Sequence, residues 1–589
     1  MTIQSPPPGT ALDSRGRLDL EALQVAIRAF NEQGQLGADP LAALYGARRQ
    51  AWSLFSVGLR DEEMEALRSY IFPYRSLPST PDAAPAPAWN LIDGTWRKPR
   101  AGGTAVINCL WDNRVPLVEV ADSQPDDVED VVDAAWRFWS SFEWANEVTS
   151  YRKWVVNNFS RLLEYFSEDV MREIRHVIPK TRMEAEKDFW EAKRAADHIG
   201  GNAEKALRGE IVPPMVDGHS YWKNGFLPAG VSAVVTPMNF IYGIPVIQLV
   251  GCYMSGSPMI FKGHPFGGIC NTVMARMLLA AGADPRAVHK LEGFGGGIAG
   301  LATHEKVAVV SLTGSEKTAK AIAAGRGVRT LKFEGGGCNW AYVDEGYTDE
   351  ELTRIAVRLV YSKLGFSSHK CTTLHGIAAT PAVLGKLEAL VNAEMDRWTV
   401  GDPHQTDNPK TIGPNMVHKA STVDHIKAGA RAAGLRIARD GGKVTGTDYA
   451  DHAEVISPLV IADCQPVSMV TANWDGKGEE TFNLTTTEFF MPILCLMPLD
   501  DFESFLRFAV LTNTHDLACS IWTRDDKKLQ RARRIIGGML KENDGTDSAM
   551  DWEEFGASGI GDSGNMGVGD AETTVAIYSR RQKGRHVVF

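Results

Sequence analysis

Cys371 stands in Gly365-Phe366-Ser367-Ser368-His369-Lys370-Cys371-Thr372-Thr373, and three other polar signatures stand in an order that could serve it. Upstream are Thr236-Pro237-Met238-Asn239-Phe240 and Phe333-Glu334-Gly335-Gly336-Gly337; downstream is Thr487-Glu488-Phe489-Phe490-Met491-Pro492. A thiolate adds to a carbonyl carbon and is also a good leaving group, so Cys371 is the candidate nucleophile. An asparagine amide can hold the oxyanion formed on addition, and losing such a donor commonly costs ~10²–10³ in rate. Asn239, just after an apolar run and a proline, is placed for that task. Glu334 is the candidate base that activates water to cleave a thioester, and the glycines after it let backbone and ligand approach closely. Glu488 adds a second carboxylate. His369 and Lys370 are expected to lower the thiol pKa if they lie close.

These groups need rigid elements to hold them. Val231–Val235, Pro258–Phe261 and Val307–Leu312 are short apolar runs that predict buried strands. Helical spacing covers 267–281 and 316–324, giving the βαβ rhythm of a parallel sheet. Residues 126–200 read as helical, and 240–261 as a buried loop–helix–loop. Further on, 348–364 and 381–398 predict helices, while 377–379 and 492–498 predict strands. Thr573–Tyr578 and Val587-Val588-Phe589 read as short β-like runs. Near the N-terminus, 20–30 and 61–70 have helical periodicity. A Pro/Ala-rich stretch from 79 to 87 then precedes a strand and turn at 89–96.

The bulk properties exclude several classes. The chain has 589 residues, too many for one core, so two to four domains are expected. The net charge of −11 argues against a nucleic-acid binder. Eight cysteines are scattered with no CxxC pair, which fits a reduced cytoplasmic protein and neither a disulfide scaffold nor a metal site. No signal pattern opens the chain, and no apolar run reads as a membrane span.

Taken together, the motifs resemble the aldehyde dehydrogenase superfamily over roughly residues 89–589. Thr236–Phe240 is similar to the family's Pro-x-Asn-Phe motif, Phe333–Gly337 to its glutamate-then-glycines motif, and the Cys371 segment to its nucleophile motif. Leu312-Thr313-Gly314-Ser315 resembles its Phe-Thr-Gly-Ser turn, where a serine at a helix N-terminus faces the cofactor phosphates. The resemblance implies cofactor contacts at Thr236, Pro237, Lys262, Gly295, Thr313, Gly314, Ser315, Gly335, Glu488 and Phe490. Lys262 would meet the adenosine ribose; Glu488 and Phe490 would meet the nicotinamide ribose and ring. The family's Lys-Pro-Ser-Glu is Lys262-Gly263-His264-Pro265 here, so the ribose carboxylate is absent and His264 could tolerate or bind a 2′-phosphate. NAD and NADP both stay open. Other departures are Gln248 for a proton-relaying lysine, Cys338 for the lysine after the glycines, His369 for a glutamine and Met491 for a glycine.

The expected fold is α/β and aldehyde-dehydrogenase-like. Residues 1–85 form a helical extension, which could cover a substrate mouth or extend a subunit interface. Residues 86–336 form a Rossmann-type NAD(P)-binding domain, with 208–229 contributing to a β-flap for oligomerisation. A catalytic domain spans 337–560, and 561–589 supplies a tail and the oligomerisation strand. The implied activity is NAD(P)-dependent oxidation of an aldehyde or semialdehyde to an acid, in a cytoplasmic homodimer or homotetramer. The partner is a small aldehyde, with no nucleic acid, membrane or metal. The alternatives are a CoA-acylating dehydrogenase or acyl reductase, and a non-catalytic protein that keeps the fold. Gly295, Gly297 and Gly300 also match a dinucleotide GxGxxG pattern. Gly561-Asp562-Ser563-Gly564 looks like a serine-protease turn but has no histidine or aspartate partner in sequence.

Overall fold

The structure is a computed structural model that describes residues 17–46, 48–49, 52, 58–74, 76–212, 220–549 and 553–587. Helix α1 (Leu20–Glu32) leads to strand β1 (Gly37–Ala38), and α2 (Asp61–Ile71) leads to β2 (Asn90–Ile92) and β3 (Thr95–Arg97). A run of helices from Pro125 onward ends in α3 (Arg182–Arg208). Strands β4 (Glu210–Val212) and β5 (Ser220–Pro228) follow. The βαβ core then runs β6 (Ser232–Val235), α4 (Gly243–Ser255), β7 (Met259–Lys262), α5 (Gly268–Ala281), β8 (Val288–Lys290), α6 (Gly295–Thr303), β9 (Val309–Thr313), α7 (Glu316–Arg326) and β10 (Thr330–Glu334). A second α/β layer carries β11 (Asn339–Val343), α8 (Asp349–Leu364), β12 (Leu374–Ala379), β13 (Arg436–Arg439), β14 (Leu459–Ala462), β15 (Ile493–Pro498), β16 (Ala518–Trp522) and β17 (Met539–Glu542). The chain closes with α9 (Ala571–Ile577) and β18 (Ser579–Val587).

The first sheet has the order β1-β3-β2-β8-β7-β6-β9-β10, and its five strands from β8 to β10 are parallel. Helices cover both faces, so the central strands β6, β7 and β9 are mostly apolar and buried, while the flanking β8 and β10 carry polar residues. The second sheet, β13-β14-β15-β12-β11-β16-β17, is parallel except for its β13 edge. A third sheet, β18-β5-β4, pairs Ser579–Val587 against Ser220–Pro228. Among the described residues no helix is long and apolar enough to cross a membrane.

Two readings change. Thr573–Tyr578 was expected to be β-like, but 571–577 is helix α9. Asp570 caps it, accepting from the Glu572 and Thr573 N–H groups at 2.9 and 3.1 Å. Burial of Thr574, Val575 and Ile577 then outweighs the β-propensity of Thr-Thr-Val. The end of the other β-like run, 588–589, lies outside the described residues. The N-terminal extension is also more than helices, since β1 joins the first sheet through β3. Asp39 accepts from Tyr70 Oη at 2.7 Å and Trp96 Nε1 at 2.6 Å. Arg276 of α5 donates to the Tyr70 carbonyl at 2.7 Å and to Gln35 Oε1 at 2.9 Å. The described part of the extension is therefore welded to the outer edge of the first sheet.

Candidate active site

Every cofactor-contact segment read from the sequence, apart from Glu488 and Phe490, follows the carboxyl end of a parallel strand. Thr236 and Pro237 follow β6, Lys262 and His264 end β7, and Gly295 follows β8. Thr313–Ser315 end β9, and Glu334–Gly335 end β10. Ligands of open α/β sheets lie along this edge. The backbone there is tightly laid: Thr236 N–H donates to the Lys262 carbonyl at 3.1 Å and Gly314 N–H to the Glu334 carbonyl at 3.0 Å. Ser315 caps α7, accepting from Thr318 N–H at 3.3 Å.

Three observations fit a dinucleotide at this edge. Thr236 Oγ1 is buried without a partner. At Gly295 and Gly296 a Cβ would meet nothing within 4 Å, so the start of α6 borders open space. A Cβ on Gly336 would lie 1.8 Å from Glu488 Oε2, and Gly337 N–H donates to Glu488 Oε1 at 3.2 Å, so the glycine turn is the cradle of that carboxyl. Burial pushes Glu488 up to about 8, opposed by this N–H and by Lys363. Thr313 is different: its hydroxyl accepts from Gln248 Nε2 at 2.7 Å. Gln248 in turn accepts from Ser311 Oγ at 3.0 Å, and Tyr578 Oη reaches Ser311 at 2.7 Å. Gln248 thus belongs to a neutral buried chain of hydrogen bonds.

Cys371 follows a strained loop. After α8, Phe366, Ser367 and Ser368 take φ of 55°, 54° and 65°, a left-handed conformation that costs non-glycine residues energy. Side chains fix it from several sides. Ser368 Oγ donates to the Lys363 carbonyl at 2.7 Å, Ser367 Oγ accepts from Gly413 N–H at 2.8 Å, and Glu184 of α3 accepts from Phe366 N–H. Asn339 Nδ2 donates to the Cys371 and Thr373 carbonyls at 2.8 and 2.9 Å. Of the eight thiols, Cys371 is the one that is not buried.

Two carboxyls act electrostatically on the thiol. Burial pushes the Cys371 thiol up, Glu334 and Glu488 push it further, and Lys370 opposes them. The expected lowering by neighbouring cations is therefore reversed. His369 gives no charge, since burial holds it down to about 3 and its Nε2 accepts from Met416 N–H at 3.3 Å. Lys370 is drawn toward Asp547, at 3.4 Å. Burial also drives the Glu334 carboxyl well above the usual carboxylate range, opposed by the Ala557 backbone N–H, and both its oxygens are buried with no well-formed hydrogen bond. Asn239 Nδ2 donates to the His369 carbonyl at 2.9 Å, which leaves its second N–H for another acceptor. The Phe490 carbonyl accepts from Asn415 at 2.8 Å, and its ring lies 6.2 Å from the His369 ring. Ser563, in the protease-like turn, donates to the Gly336 carbonyl at 2.8 Å and is structural.

A family model described as the aldehyde dehydrogenase family matches residues 96–582. The chain belongs to the aldehyde dehydrogenase family. It is 26% identical over 463 residues to N-succinylglutamate 5-semialdehyde dehydrogenase 1 of Caulobacter vibrioides, covering 76% of this chain and 89% of that one. It is 25% identical over 401 residues to 1-pyrroline-5-carboxylate dehydrogenase 1 of Halalkalibacterium halodurans, covering 65% and 71%. Betaine aldehyde dehydrogenase of Staphylococcus aureus in complex with NAD+ superposes with a TM-score of 0.76 at 18% identity, over 88% of this chain and 96% of that one. A methylmalonate-semialdehyde dehydrogenase of Sinorhizobium meliloti complexed with NAD, itself described as putative, gives 0.75 at 18%, over 86% and 99%. As an aldehyde dehydrogenase family member the chain is an NAD(P)-dependent oxidoreductase with an aldehyde-dehydrogenase-like α/β fold.

In this aldehyde dehydrogenase, sequence reasoning missed the residues that hold the Asn239 segment. Asp188 of α3 accepts from the Ile241 and Gly243 N–H groups at 3.1 and 2.8 Å, capping α4 from outside its own chain segment. Lys180 pairs with Asp188 at 2.8 Å, and both are buried. The Lys180 ammonium also lies 4.4 Å from the Phe240 ring centroid. Asp188→Ala would leave that ammonium buried and unpaired, and such a loss costs about 3–5 kcal/mol. A lowered urea midpoint is the expected result; an unchanged midpoint would refute the role assigned to the pair.

Proposed function

We propose that Cys371, Asn239 and Glu334 form the catalytic set of this aldehyde dehydrogenase and that it oxidises an aldehyde or semialdehyde to the acid. The observation that carries this reading is that the one cysteine of intermediate burial has its thiol under the influence of the buried Glu334 carboxyl. The thiol loses its proton to solvent, and the Cys371 thiolate adds to the carbonyl carbon. The free N–H of Asn239 and the Cys371 backbone N–H hold the oxyanion. A nicotinamide cofactor, when bound, accepts the hydride that leaves this carbon. What stays on Cys371 is a thioester. Glu334 then removes a proton from the attacking water, the carbon–sulfur bond breaks, and the acid departs from a restored Cys371. Thr236, Ser315, the start of α6 and Glu488 in its glycine cradle would hold the dinucleotide, with Lys262 at the adenosine end. The three-stranded β18-β5-β4 sheet supports assembly as a homodimer or homotetramer, since β4 and β17 are sheet-edge strands able to pair with a second copy. The free, scattered cysteines support a cytoplasmic location.

The test is formation of reduced nicotinamide, read by near-ultraviolet absorbance over a panel of aldehydes with either cofactor, with and without CoA. CoA-independent turnover supports the reading. Turnover that needs CoA would make the enzyme acylating, and no turnover with any aldehyde would reject the reading. Asn239→Ala is expected to lower kcat by ~10²–10³ with little change in KM, because the donor acts on the oxyanion and not on the bound aldehyde. An equal loss of cofactor affinity would instead assign Asn239 to binding.

A further inference from the structure

The winding of the first sheet locates the adenosine end of the cofactor. Strands β6, β7 and β8 run outward from the centre, and β9 and β10 return on the other side. In this topology the second strand of the winding ends beside the adenosine ribose. An NAD-selective site places a carboxylate there to bond the 2′-hydroxyl and repel a 2′-phosphate. That strand is β7, and it ends in Lys262-Gly263-His264-Pro265. The position holds an amine and an imidazole.

The amine is not neutralised by the protein. Among the described residues no carboxylate forms an ion pair with Lys262. The acid that acts on it is Glu292, and that group is committed elsewhere. Glu292 is fully buried, and its Oε1 takes Lys290 Nζ at 2.8 Å and Asn271 Nδ2 at 3.2 Å. Its second oxygen is sealed from solvent. The turn is pressed onto the same Asn271, which donates to the His264 carbonyl at 3.1 Å. A Cβ at Gly263 would lie 2.1 Å from Asn271 Oδ1, so glycine is required for this seating. His264 is oriented as well. Its Nδ1 accepts from Phe266 N–H at 3.3 Å, which assigns the ring proton to Nε2, and the ring stacks on Phe266 with centroids 5.7 Å apart. Burial lowers Lys262 to about 8 and His264 to about 3. The amine is an under-solvated cation that an anion would stabilise, and the imidazole is a neutral donor.

We propose that this enzyme selects NADP over NAD, with the Lys262 ammonium and the His264 Nε2–H receiving the 2′-phosphate. The proposal rests on the dehydrogenase reading only for the placement of the dinucleotide. Two charge-assisted hydrogen bonds without a competing carboxylate predict a preference of at least about tenfold.

The test is calorimetric titration of the full-length chain, without aldehyde, using 2′,5′-ADP against 5′-AMP and NADP+ against NAD+. The phosphorylated member of each pair is expected to bind at least about tenfold more tightly. Lys262→Met should erase most of that ratio, and His264→Ala part of it. Pro265→Glu, which restores a carboxylate beside the ribose, should invert it. Equal or weaker binding of the 2′-phosphorylated ligands by the wild type would overturn the proposal, as would a ratio unchanged in Lys262→Met. The wild-type ratio decides the matter even if a variant fails to fold. Selective 2′,5′-ADP binding without aldehyde turnover would keep this inference and reject the catalytic reading. Aldehyde turnover supported by NAD alone would do the reverse.

Discussion

Cys371→Ala is expected to abolish aldehyde oxidation, lowering kcat by on the order of 10⁴–10⁶, the scale seen when a covalent nucleophile is removed. The expectation follows from accessibility. Seven of the eight thiols are buried, so none of them can replace Cys371 at the substrate carbon. The loop that presents it is built for position, with three successive left-handed residues held by Glu184, Ser367, Ser368 and Asn339. Removing the sulfur of this half-buried residue leaves that scaffold intact, so the variant should bind cofactor as the wild type does. Labelling with iodoacetamide gives an independent readout. Modification should map to Cys371, and its rate should rise with pH, because burial and the charges of Glu334 and Glu488 hold the thiol above its ordinary value. Retained turnover in the variant, or inactivation by labelling at another cysteine, would refute the assignment.

The legible parts of this chain were those with a local physical signature. Apolar runs gave β6, β7 and β9 because a strand covered on both faces must be apolar along its length. The glycines after Glu334 were legible as a place of close approach, although the body that approaches is the Glu488 carboxyl, from 152 positions further along the chain by residue number (488 less 336). Illegible features depend on contacts between distant segments. Nothing near Asp188 in sequence shows that it caps α4, and nothing near Asp39 shows that it ties the extension to Trp96. The charge state of Cys371 also misled. Adjacent Lys370 suggested a lowered pKa, but Asp547 draws that ammonium and burial outweighs it. Thr573–Tyr578 erred for the same reason, since its β-propensity yields to a cap and to burial against α3 and α4.

Glu334→Gln should stop the reaction half-way. If Glu334 activates the water, the variant will form the thioester on Cys371 but release it slowly, so steady-state kcat should fall by ~10²–10⁴. Pre-steady-state absorbance should then show a burst of reduced nicotinamide near one per subunit. Intact mass measured during the reaction should show the acyl group on the protein. The pH dependence follows in sign. Burial holds the Glu334 carboxyl well above the usual range, and the base works only when ionised. Wild-type kcat should therefore rise with pH through that raised value, and the residual rate of the variant should lack this rise. The same burial has a stability consequence. Above the ordinary glutamate pKa of about 4.5 the unfolded chain ionises Glu334 while the folded chain keeps it protonated, so this group's contribution to stability falls as pH rises toward the folded value. Glu334→Gln removes that penalty and should raise the melting temperature at pH 8 while it lowers turnover. A variant that loses the burst along with the turnover would place Glu334 at the addition step, as the group that deprotonates Cys371. A variant with unchanged kcat would remove it from the mechanism.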